Sequence, residues 1–245
     1  MKNLVLTVAI AKSDESHSKL TKFSIEKSRE YALKYNADFV CIETNQKFPR
    51  YSPTWQRFVL FTDEFKQYDN IMYLDCDLVL TKYAPDLFNI MNRYEQDVFA
   101  SIDYEHIPAR KYTGYFNAGL LGFKRSWLDL WNENSINEMM SKWNNKSHQD
   151  QCCLNEMVKS TRDSYINLGR IWNTMTSSFE HMNIVYGIHY IHYHKRKFND
   201  EAIYKYEIPS RSEIVKYNPH EFPTWWKTYN FTHILTMEND YKEIA

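Results

Sequence analysis

The sequence has 245 residues, which is long enough to bury a sizeable core within one large domain. Its 30 basic and 31 acidic residues leave a net charge of −1, a balance that gives no reason to expect a nucleic-acid or acidic-membrane partner. Aromatic residues are abundant, with 19 tyrosines, 14 phenylalanines and 7 tryptophans, and such rings fill cores or line sites for flat ligands.

The N-terminal stretch MKNLVLTVAIAKSDES contains a short apolar run. Only Lys2 is basic before that run, and no small-residue cleavage site follows it, so we interpret it as a core strand rather than a signal peptide. No stretch of the sequence approaches the ~18 apolar residues that span a bilayer. We therefore expect a cytoplasmic protein with no transmembrane segment, in which the 4 cysteines are reduced thiols.

Apolar runs alternate with helical patterns through the first half of the chain. The predicted strands cover residues 4–11, 38–43, 70–74 and 97–102, and the predicted helices cover residues 16–35, 52–68 and 85–94. Ser52 is the expected N-cap of the second helix, with Pro53 at the first helical position. This order predicts an open α/β sheet with right-handed crossovers, in which ligands bind beyond the carboxyl ends of the strands.

The second half of the chain has a different pattern. A strand with two glycines is predicted at residues 115–123, followed by helices at residues 126–143 and 148–158. Short strands are predicted near residues 165–168, 183–187 and 190–194. Because no repeat, low-complexity tract or linker interrupts the chain, we predict a single domain over residues 1–245.

Two carboxylates, Asp75 and Asp77, follow the third predicted strand in the stretch DNIMYLDCDLVL. Ionised carboxylates are costly to remove from water unless they are paired or bind a cation. Two of them at this spacing make a hard-oxygen site for Mg²⁺ or Mn²⁺. The alternative is a pair of solvated turn residues at a strand end, which is the more common explanation for an isolated D-x-D.

A further metal ligand is expected from a distant part of the chain. The stretch YIHYHKRKF supplies His192 and His194, which period-2 alternation places on one face of a strand, and three cations follow them at residues 195–197. Imidazole is a normal Mn²⁺ ligand, and the cations are suited to a diphosphate. A solvated basic loop with a satisfied histidine is the alternative interpretation.

The scarcity of glycine in the first half excludes several classes of nucleotide-binding site. The first glycine is Gly114, so neither a P-loop nor an N-terminal dinucleotide-binding G-x-G-x-x-G is present. The same observation argues against sugar nucleotidyltransferases, which open with a glycine-rich loop.

Four motifs, YLDCDLVL, FNAGLLGF, HQDQCCLN and IHYHKRK, carry a resemblance to a known group of enzymes. In order and spacing they resemble nucleotide-sugar glycosyltransferases of the GT-A fold, especially the galactosyl-/glucosyltransferase group that includes families 8 and 34. The resemblance runs from the first strand to about Lys197. It implies one α/β domain with a central, mostly parallel twisted sheet flanked by helices and a smaller antiparallel acceptor-side part. Residues 1–103 would form the nucleotide-binding half, and residues 104–245 the acceptor-side half with the C-terminal metal-ligand segment.

The resemblance implies a metal site made of Asp75, Asp77 and His192, which would bind Mn²⁺, with Mg²⁺ as the alternative, and the donor diphosphate. In the family, a glycine and a lysine that meet the diphosphate follow the histidine. Counted from His192, Lys195 stands at the glycine position and Lys197 lies one residue short of the usual lysine. The choice between His192 and His194 as the ligand therefore stays open.

The resemblance also implies a set of residues around the donor. Arg57 corresponds to a basic donor contact, Asn117 to an asparagine that reaches the donor sugar, and Gly119 would let the backbone approach that sugar. The implied wall of the base site is Ala9, Ile10 and Ala11.

Three residues are candidates for the reacting centre. Asp150 and Gln151 match the D-Q pair that lies beside the reacting sugar carbon, although Asp150 could also cap the helix that follows it. Asp103, past the fourth strand, is a candidate for sugar contact or acceptor activation, against the alternative of a solvated loop carboxylate.

These residues predict a metal-dependent glycosyltransferase that moves a sugar from a nucleoside-diphosphate sugar, with UDP favoured, to a saccharide or glycoprotein acceptor. A retaining mechanism is favoured; under inversion, Asp103 or Asp150 becomes the base candidate. Two alternatives stay open: a non-catalytic nucleotide-sugar or glycan-binding protein, which the departure after His192 favours, and a nucleotide-sugar hydrolase. An organism or virus with cytosolic glycosylation would suit such an enzyme, and a bacterial or virus-encoded source is expected.

Overall fold

Among the residues that the structure describes, a central seven-stranded sheet organises the fold, together with a second sheet of three strands. The computed structural model describes residues 1–10, 15–102, 115–146, 148–162, 164–175, 186–189 and 233–236. Within them the strands are β1 (Asn3–Val8), β2 (Asp38–Ile42), β3 (Asn70–Asp75), β4 (Leu78–Leu80), β5 (Val98–Ile102), β6 (Phe116–Lys124), β7 (Ser164–Asn167), β8 (Thr174–Met175), β9 (Gly187–His189) and β10 (His233–Thr236). The helices are α1 (Glu15–Lys34), α2 (Leu87–Arg93), α3 (Arg125–Leu128), α4 (Glu133–Trp143) and α5 (Gln149–Thr161), with 3-10 helices at Pro53–Phe61 and Arg170–Trp172.

The strand order confirms the predicted α/β fold. The large sheet runs β10-β7-β5-β6-β3-β1-β2. Only the pairings of β6 with β3 and β5 are antiparallel among its described strands; the others are parallel. The small sheet runs β4-β9-β8, with β4 antiparallel and β8 parallel to β9, so the expected antiparallel part is mixed.

The two faces of the large sheet bury separate sets of side chains. Successive residues of a strand point to opposite faces, so Leu4 and Leu6 of β1 enter one cluster and Val5 the other. The first cluster packs against the 3-10 helix at Pro53–Phe61 and against α3 to α5. The second packs against α1 and α2. Both faces are covered, so β1 is buried from Leu4 to Val8, and four of those five residues are apolar.

The helix predicted at residues 52–68 is instead a 3-10 helix at Pro53–Phe61, and the Ser52 side chain makes no capping hydrogen bond. Residues 55–61 are all buried, so the segment has no solvent-facing side. A helix that is buried on every side belongs in a core rather than on a surface, and its polar side chains Gln56 and Arg57 are buried with hydrogen-bond partners. Ring contacts link Phe58 to Trp55 and to Phe61, with centroids 4.9 and 5.7 Å apart.

Helix boundaries in the second half also depart from the prediction. The helix expected at residues 126–143 is divided into α3 and α4, because Asn132 caps α4 through a reciprocal pair of hydrogen bonds with Ser135. The N-cap of α5 is His148, so Asp150 does not cap this helix but lies in its first turn. β9 overlaps the strand predicted at 183–187 only at Gly187, and the strand predicted at 190–194 lies outside the described residues.

None of the helices in the described part of the chain combines the length and the apolar character that crossing a membrane requires.

Candidate metal centre

The end of β3 carries both carboxylates to one edge of the sheet. Asp75 is the last residue of β3, where it pairs with Val8 of the parallel strand β1, and Asp77 lies in the short turn that leads into β4. In open α/β sheets this edge, at the carboxyl ends of the parallel strands, is where ligands bind. The apolar strand therefore positions the carboxylates at a site rather than placing them inside the core.

A histidine reaches these carboxylates through the small sheet. His189 ends β9 and pairs with Leu78 of β4, one residue after Asp77. Its Nε2 lies 3.2 Å from Asp77 Oδ1 and 3.9 Å from Asp75 Oδ2. Among the described residues these three side chains form a cluster in which one ligand atom from each lies within 4.8 Å of the others.

The chemistry of this cluster fits a divalent metal ion. Two carboxylates and an imidazole suit Mn²⁺, and carboxylates also suit Mg²⁺. Asp77 and His189 are buried, with 6% and 5% of their surface exposed. Two neighbouring carboxylates in such a place repel each other, and a cation would offset that repulsion. Asp75, Asp77 and His189 are therefore the residues that could hold a metal.

Arg57, on the 3-10 helix, joins this cluster to α5 and β6. Its Nη2 donates to Asp75 Oδ1 at 2.9 Å, and its Nη1 donates to the Ala118 carbonyl at 2.9 Å. Its Nε lies 3.0 Å from Asp150 Oδ2. Its guanidinium carbon also lies 4.9 Å from the centre of the Tyr73 ring. Arg57 thus holds the two sequence-predicted carboxylates Asp75 and Asp150 around one cation.

The environment shifts the pKa of Asp75 and that of Arg57. Burial raises the pKa of Asp75 above its ordinary value, Arg57 opposes that shift, and Asp77 adds to it. Burial alone would lower the pKa of Arg57, but Asp150 and Asp75 together raise it. Arg57 therefore keeps its charge, and the carboxylate of Asp75 depends on nearby cations to stay ionised.

The first turns of α5 cover the exposed backbone edge at the start of β6. Gln151 accepts a hydrogen bond from the Ala118 N–H at 3.0 Å through Oε1. Asn155 accepts from the Phe116 N–H at 2.9 Å and donates to the Phe116 carbonyl at 3.0 Å. These side chains are buried because they satisfy backbone groups that no neighbouring strand satisfies. Gln151 therefore has a structural role beside its predicted place at the reacting carbon.

Asn117 and Gly119 lie together on β6, next to the metal cluster. Asn117 Oδ1 accepts from the Gly119 N–H at 2.8 Å. A Cβ on Gly119 would lie 2.4 Å from His189 Cε1, which no structure tolerates without movement. Glycine is therefore needed here because the His189 ring packs against this backbone. The sequence suggested that a donor sugar, and not a histidine, would make the close approach.

The remaining sequence-predicted residues divide into described and undescribed positions. Ala9 and Ile10 directly follow β1, at the edge that also carries Asp75. Ala9 donates its N–H to Ile42 at 2.8 Å, and Ile10 packs against the first core cluster. Outside the described residues lie Ala11, Asp103, His192, His194 and Lys197.

His189 is the functional candidate that the sequence prediction missed. The stretch GIHYIHYHKRK contains three histidines, of which the alternation in YIHYH favoured the last two. The resemblance places the family's lysine six residues after the metal histidine, and Lys195 lies at that distance from His189. Counted this way, His192 takes the glycine position. The spacing to Lys195 was the signal that could have identified His189.

A comparison with protein families gives a match over most of the chain. Residues 5–199 match a family model described as Glycosyl transferase family 8. A comparison with curated proteins gives no match.

Several solved structures are similar to this chain. A glycosyltransferase involved in the glycosylation of the major capsid of PBCV-1 is similar with a TM-score of 0.61 and 13% identity, over 80% of this chain and 98% of that one. Galactosyltransferase LgtC, in complex with donor and acceptor sugar analogs, has a TM-score of 0.49 and 16% identity over 92% and 99%. Mouse xyloside xylosyltransferase 1 has a TM-score of 0.47 and 12% identity over 77% and 97%. The likeness to the PBCV-1 protein shows a shared fold.

Proposed function

The chain belongs to glycosyl transferase family 8, and from this premise we propose that it transfers a sugar from a UDP-sugar to a saccharide or glycoprotein acceptor. The observation that carries the proposal is the cluster of Asp75, Asp77 and His189 at the ligand-binding edge of the sheet. A nucleoside diphosphate is a poor leaving group until its charge is neutralised, and this cluster is suited to a cation that does so.

We assign the metal to Asp75, Asp77 and His189, with Mn²⁺ as the preferred ion and Mg²⁺ as the alternative. When bound, such an ion acts as a Lewis acid that stabilises the charge of the departing diphosphate without a proton transfer. The imidazole in the ligand set favours Mn²⁺ over Mg²⁺. This assignment puts His189 in the role that the sequence prediction gave to His192.

Asn117 and Arg57 have separate tasks in the proposed site. Because Asn117 Oδ1 already accepts from the Gly119 N–H, the amide presents its Nδ2 to a donor sugar, where it donates to a hydroxyl. Arg57 keeps Asp75 and Asp150 in place.

The sequence-derived roles of the other donor and reacting-centre residues are retained as part of the proposal: Ala9, Ile10, Ala11, Asp103, Gln151 and Lys197.

We propose that the enzyme retains the configuration of the anomeric carbon. Asp150 is one of the two base candidates for inversion, and its carboxylate is engaged by Arg57 at 3.0 Å. A general base must instead be available to take a proton from the acceptor. Counted from His189, Lys195 takes the position of the family's lysine, which weakens the argument for a non-catalytic protein, although His192 stands where the family has glycine.

The test is sugar transfer from a panel of nucleoside-diphosphate sugars, with and without Mn²⁺, by the wild-type chain and by Asp77→Asn. We expect transfer to require the metal. Loss of a partner that only orients a ligand typically costs about 10- to 100-fold, so loss of the ligand itself should lower activity by more than about 100-fold. Asp63→Asn is the matched control, since that carboxylate is fully exposed and does not belong to the metal cluster.

Three results would contradict parts of the proposal. Full activity of Asp77→Asn would refute the metal assignment. Free sugar released at the same rate with and without acceptor would indicate a hydrolase. Inversion observed by NMR of the product would overturn the retaining mechanism and make Asp103 or Asp150 the base candidate.

A further inference from the structure

Two buried asparagines connect the backbone of β6 to the imidazole of His189. Asn117 lies on β6, and Asn173 directly follows the 3-10 helix at Arg170–Trp172. Asn173 Nδ2 donates to Asn117 Oδ1 at 2.9 Å, and Asn173 Oδ1 lies 3.0 Å from His189 Nδ1. The Gly119 N–H completes the chain at its other end, 2.8 Å from Asn117 Oδ1.

The donors and acceptors in this chain can be arranged in one way only. A backbone N–H can only donate, so the atom of Asn117 that faces Gly119 must be the oxygen. That oxygen is also the atom facing Asn173, so Asn173 must direct its amino group toward it. The carbonyl oxygen of Asn173 then faces His189 Nδ1, and a hydrogen bond there requires a proton on Nδ1.

We propose that Asn173 is a positioning residue that keeps the proton of His189 on Nδ1, so that Nε2 is the nitrogen that binds the metal. The proposal rests on the function proposed above for Asp75, Asp77 and His189. Metal-binding histidines usually donate their other N–H to a carboxylate, a backbone carbonyl or water, which fixes the tautomer and the ring orientation. Here a side-chain amide takes that place, and the backbone of β6 sets its direction.

The packing of the ring supports the same arrangement. His189 lies against Gly119 so closely that a Cβ there would come within 2.7 Å of Nδ1. Both asparagines are buried, with 7% exposure for Asn117 and 6% for Asn173. The hydrogen-bond chain from Gly119 through Asn117 and Asn173 to His189, here called the relay, therefore lies where water competes little for its hydrogen bonds. It also links the amide proposed to meet the donor sugar with the histidine proposed to hold the metal.

The experiment is ¹H–¹⁵N NMR of the histidine rings in the full chain, first without metal and then with Mg²⁺. In the wild type we expect His189 to carry a proton on Nδ1 in both states, protected from exchange with water. In Asn173→Leu, which has a similar volume but no acceptor, that protection should be lost. Asn173→Asp keeps an oxygen facing Nδ1 and should keep the proton there.

Mn²⁺ affinity, measured by titration calorimetry on the same proteins, provides a second readout. We expect Asn173→Leu to bind Mn²⁺ about 10- to 100-fold more weakly than the wild type. The matched control is Asn167→Leu, which removes another buried asparagine that accepts from a backbone N–H, that of Gly169 at 3.1 Å. This control should lower stability and leave both the His189 proton and the Mn²⁺ affinity unchanged.

Two results would overturn the relay: a wild-type His189 with Nδ1 unprotonated, or an Asn173→Leu variant with the proton and the affinity unchanged. If Asn173→Leu does not fold, the proposal is still tested by whether His189 Nδ1 carries a proton in the wild type and in Asn173→Asp. A protonated Nδ1 in a wild-type chain that binds no Mn²⁺ would support the hydrogen-bond chain while overturning the proposed metal role. Tight Mn²⁺ binding that is unchanged in Asn173→Leu would support the proposed metal site while overturning the role of Asn173.

Discussion

At the scale of single residues, Arg57 is the point where three parts of the chain converge. Its guanidinium contacts a carboxylate at the end of β3, a carboxylate in the first turn of α5 and a carbonyl on β6. Arginine presents several donors in a rigid fork, so one side chain can reach all three acceptors, whereas a lysine ammonium could not hold the same geometry. The site is therefore organised around a buried cation before any metal binds.

Gly119→Ala tests whether the His189 ring needs the space beside β6. The added Cβ would lie 2.4 Å from His189 Cε1 and 2.9 Å from Asn117 Oδ1, so the histidine must move. We expect Mn²⁺ affinity to fall about 10- to 100-fold, as for other disturbances of ligand orientation. Overpacking should also lower the free energy of unfolding by about 1–3 kcal/mol. Titration calorimetry and denaturant unfolding measure the two effects.

The control is Gly122→Ala on the same strand. Its Cβ would come within 3.1 Å of Met91 Sδ and of Phe99 Cβ, away from the metal cluster. Methionine is flexible and can give way, whereas Phe99 Cβ is fixed to the backbone of β5, so stability should fall while metal affinity should not change. Equal losses of affinity in the two variants would show that the close approach at Gly119 has no special role.

At the scale of elements, β6 and α5 pack together beside the metal cluster and line one side of the site. β3 and β6 are antiparallel, and their last described pair is Leu74 with Leu120. The first residues of β6, 116–118, therefore extend beyond the end of β3. Side chains of α5 and Arg57 bond backbone groups of Phe116 and Ala118 where β3 no longer pairs, while β5 still pairs with residues 116 and 117. The overhang leaves a polar, hydrogen-bonded surface next to the carboxylates, which is why a core strand can contribute to a binding site.

Asn155→Leu tests this contact between helix and strand. The change leaves the buried N–H and carbonyl of Phe116 without the partners that Asn155 provides. Each of these two buried backbone groups left unsatisfied costs about 1–3 kcal/mol, so we expect the free energy of unfolding to fall by about 2–6 kcal/mol. Urea unfolding measures it. Asn89→Leu, at an exposed position of α2, is the control and should change stability by less than about 0.5 kcal/mol.

At the scale of the whole molecule, one continuous sheet separates two cores. Trp127 lies in the first core, where its ring stacks on Phe123 with centroids 5.0 Å apart. Phe88 of α2 lies in the second core. Since the same strands contribute to both faces, neither core can form without the sheet, and we propose that the chain unfolds as one cooperative unit.

Trp127→Ala and Phe88→Ala test that cooperativity. Each removes a fully buried ring and should lower the free energy of unfolding by about 3–5 kcal/mol. In a single unit, both should move the same transition, followed by circular dichroism and by tryptophan fluorescence. Leu130→Ala, at a side chain that is 47% exposed, should have little effect. Two transitions, each sensitive to one variant, would instead indicate two separately folding parts.

Local patterns allowed much of the fold to be predicted. Continuous apolar runs identified β1 and β3, the alternation of strands and helices identified the α/β class, and the carboxylates after β3 identified the edge that holds the site. These features depend on residues close together in the chain, whose periodicity and turn chemistry are readable directly. Where burial overrode local preference, as in the 3-10 helix at Pro53–Phe61, the prediction was wrong.

The sequence by itself determined the sheet, the position of Asp75 and Asp77 at its edge, and the family to which the motifs point. Only the tertiary structure decided that His189 lies against those carboxylates, and that Asn173 meets both Asn117 and His189. Three histidines within six residues look alike in the sequence. The pairing of β9 with β4 distinguishes them, because register between strands more than a hundred residues apart is set by packing across the whole fold and not by local pattern.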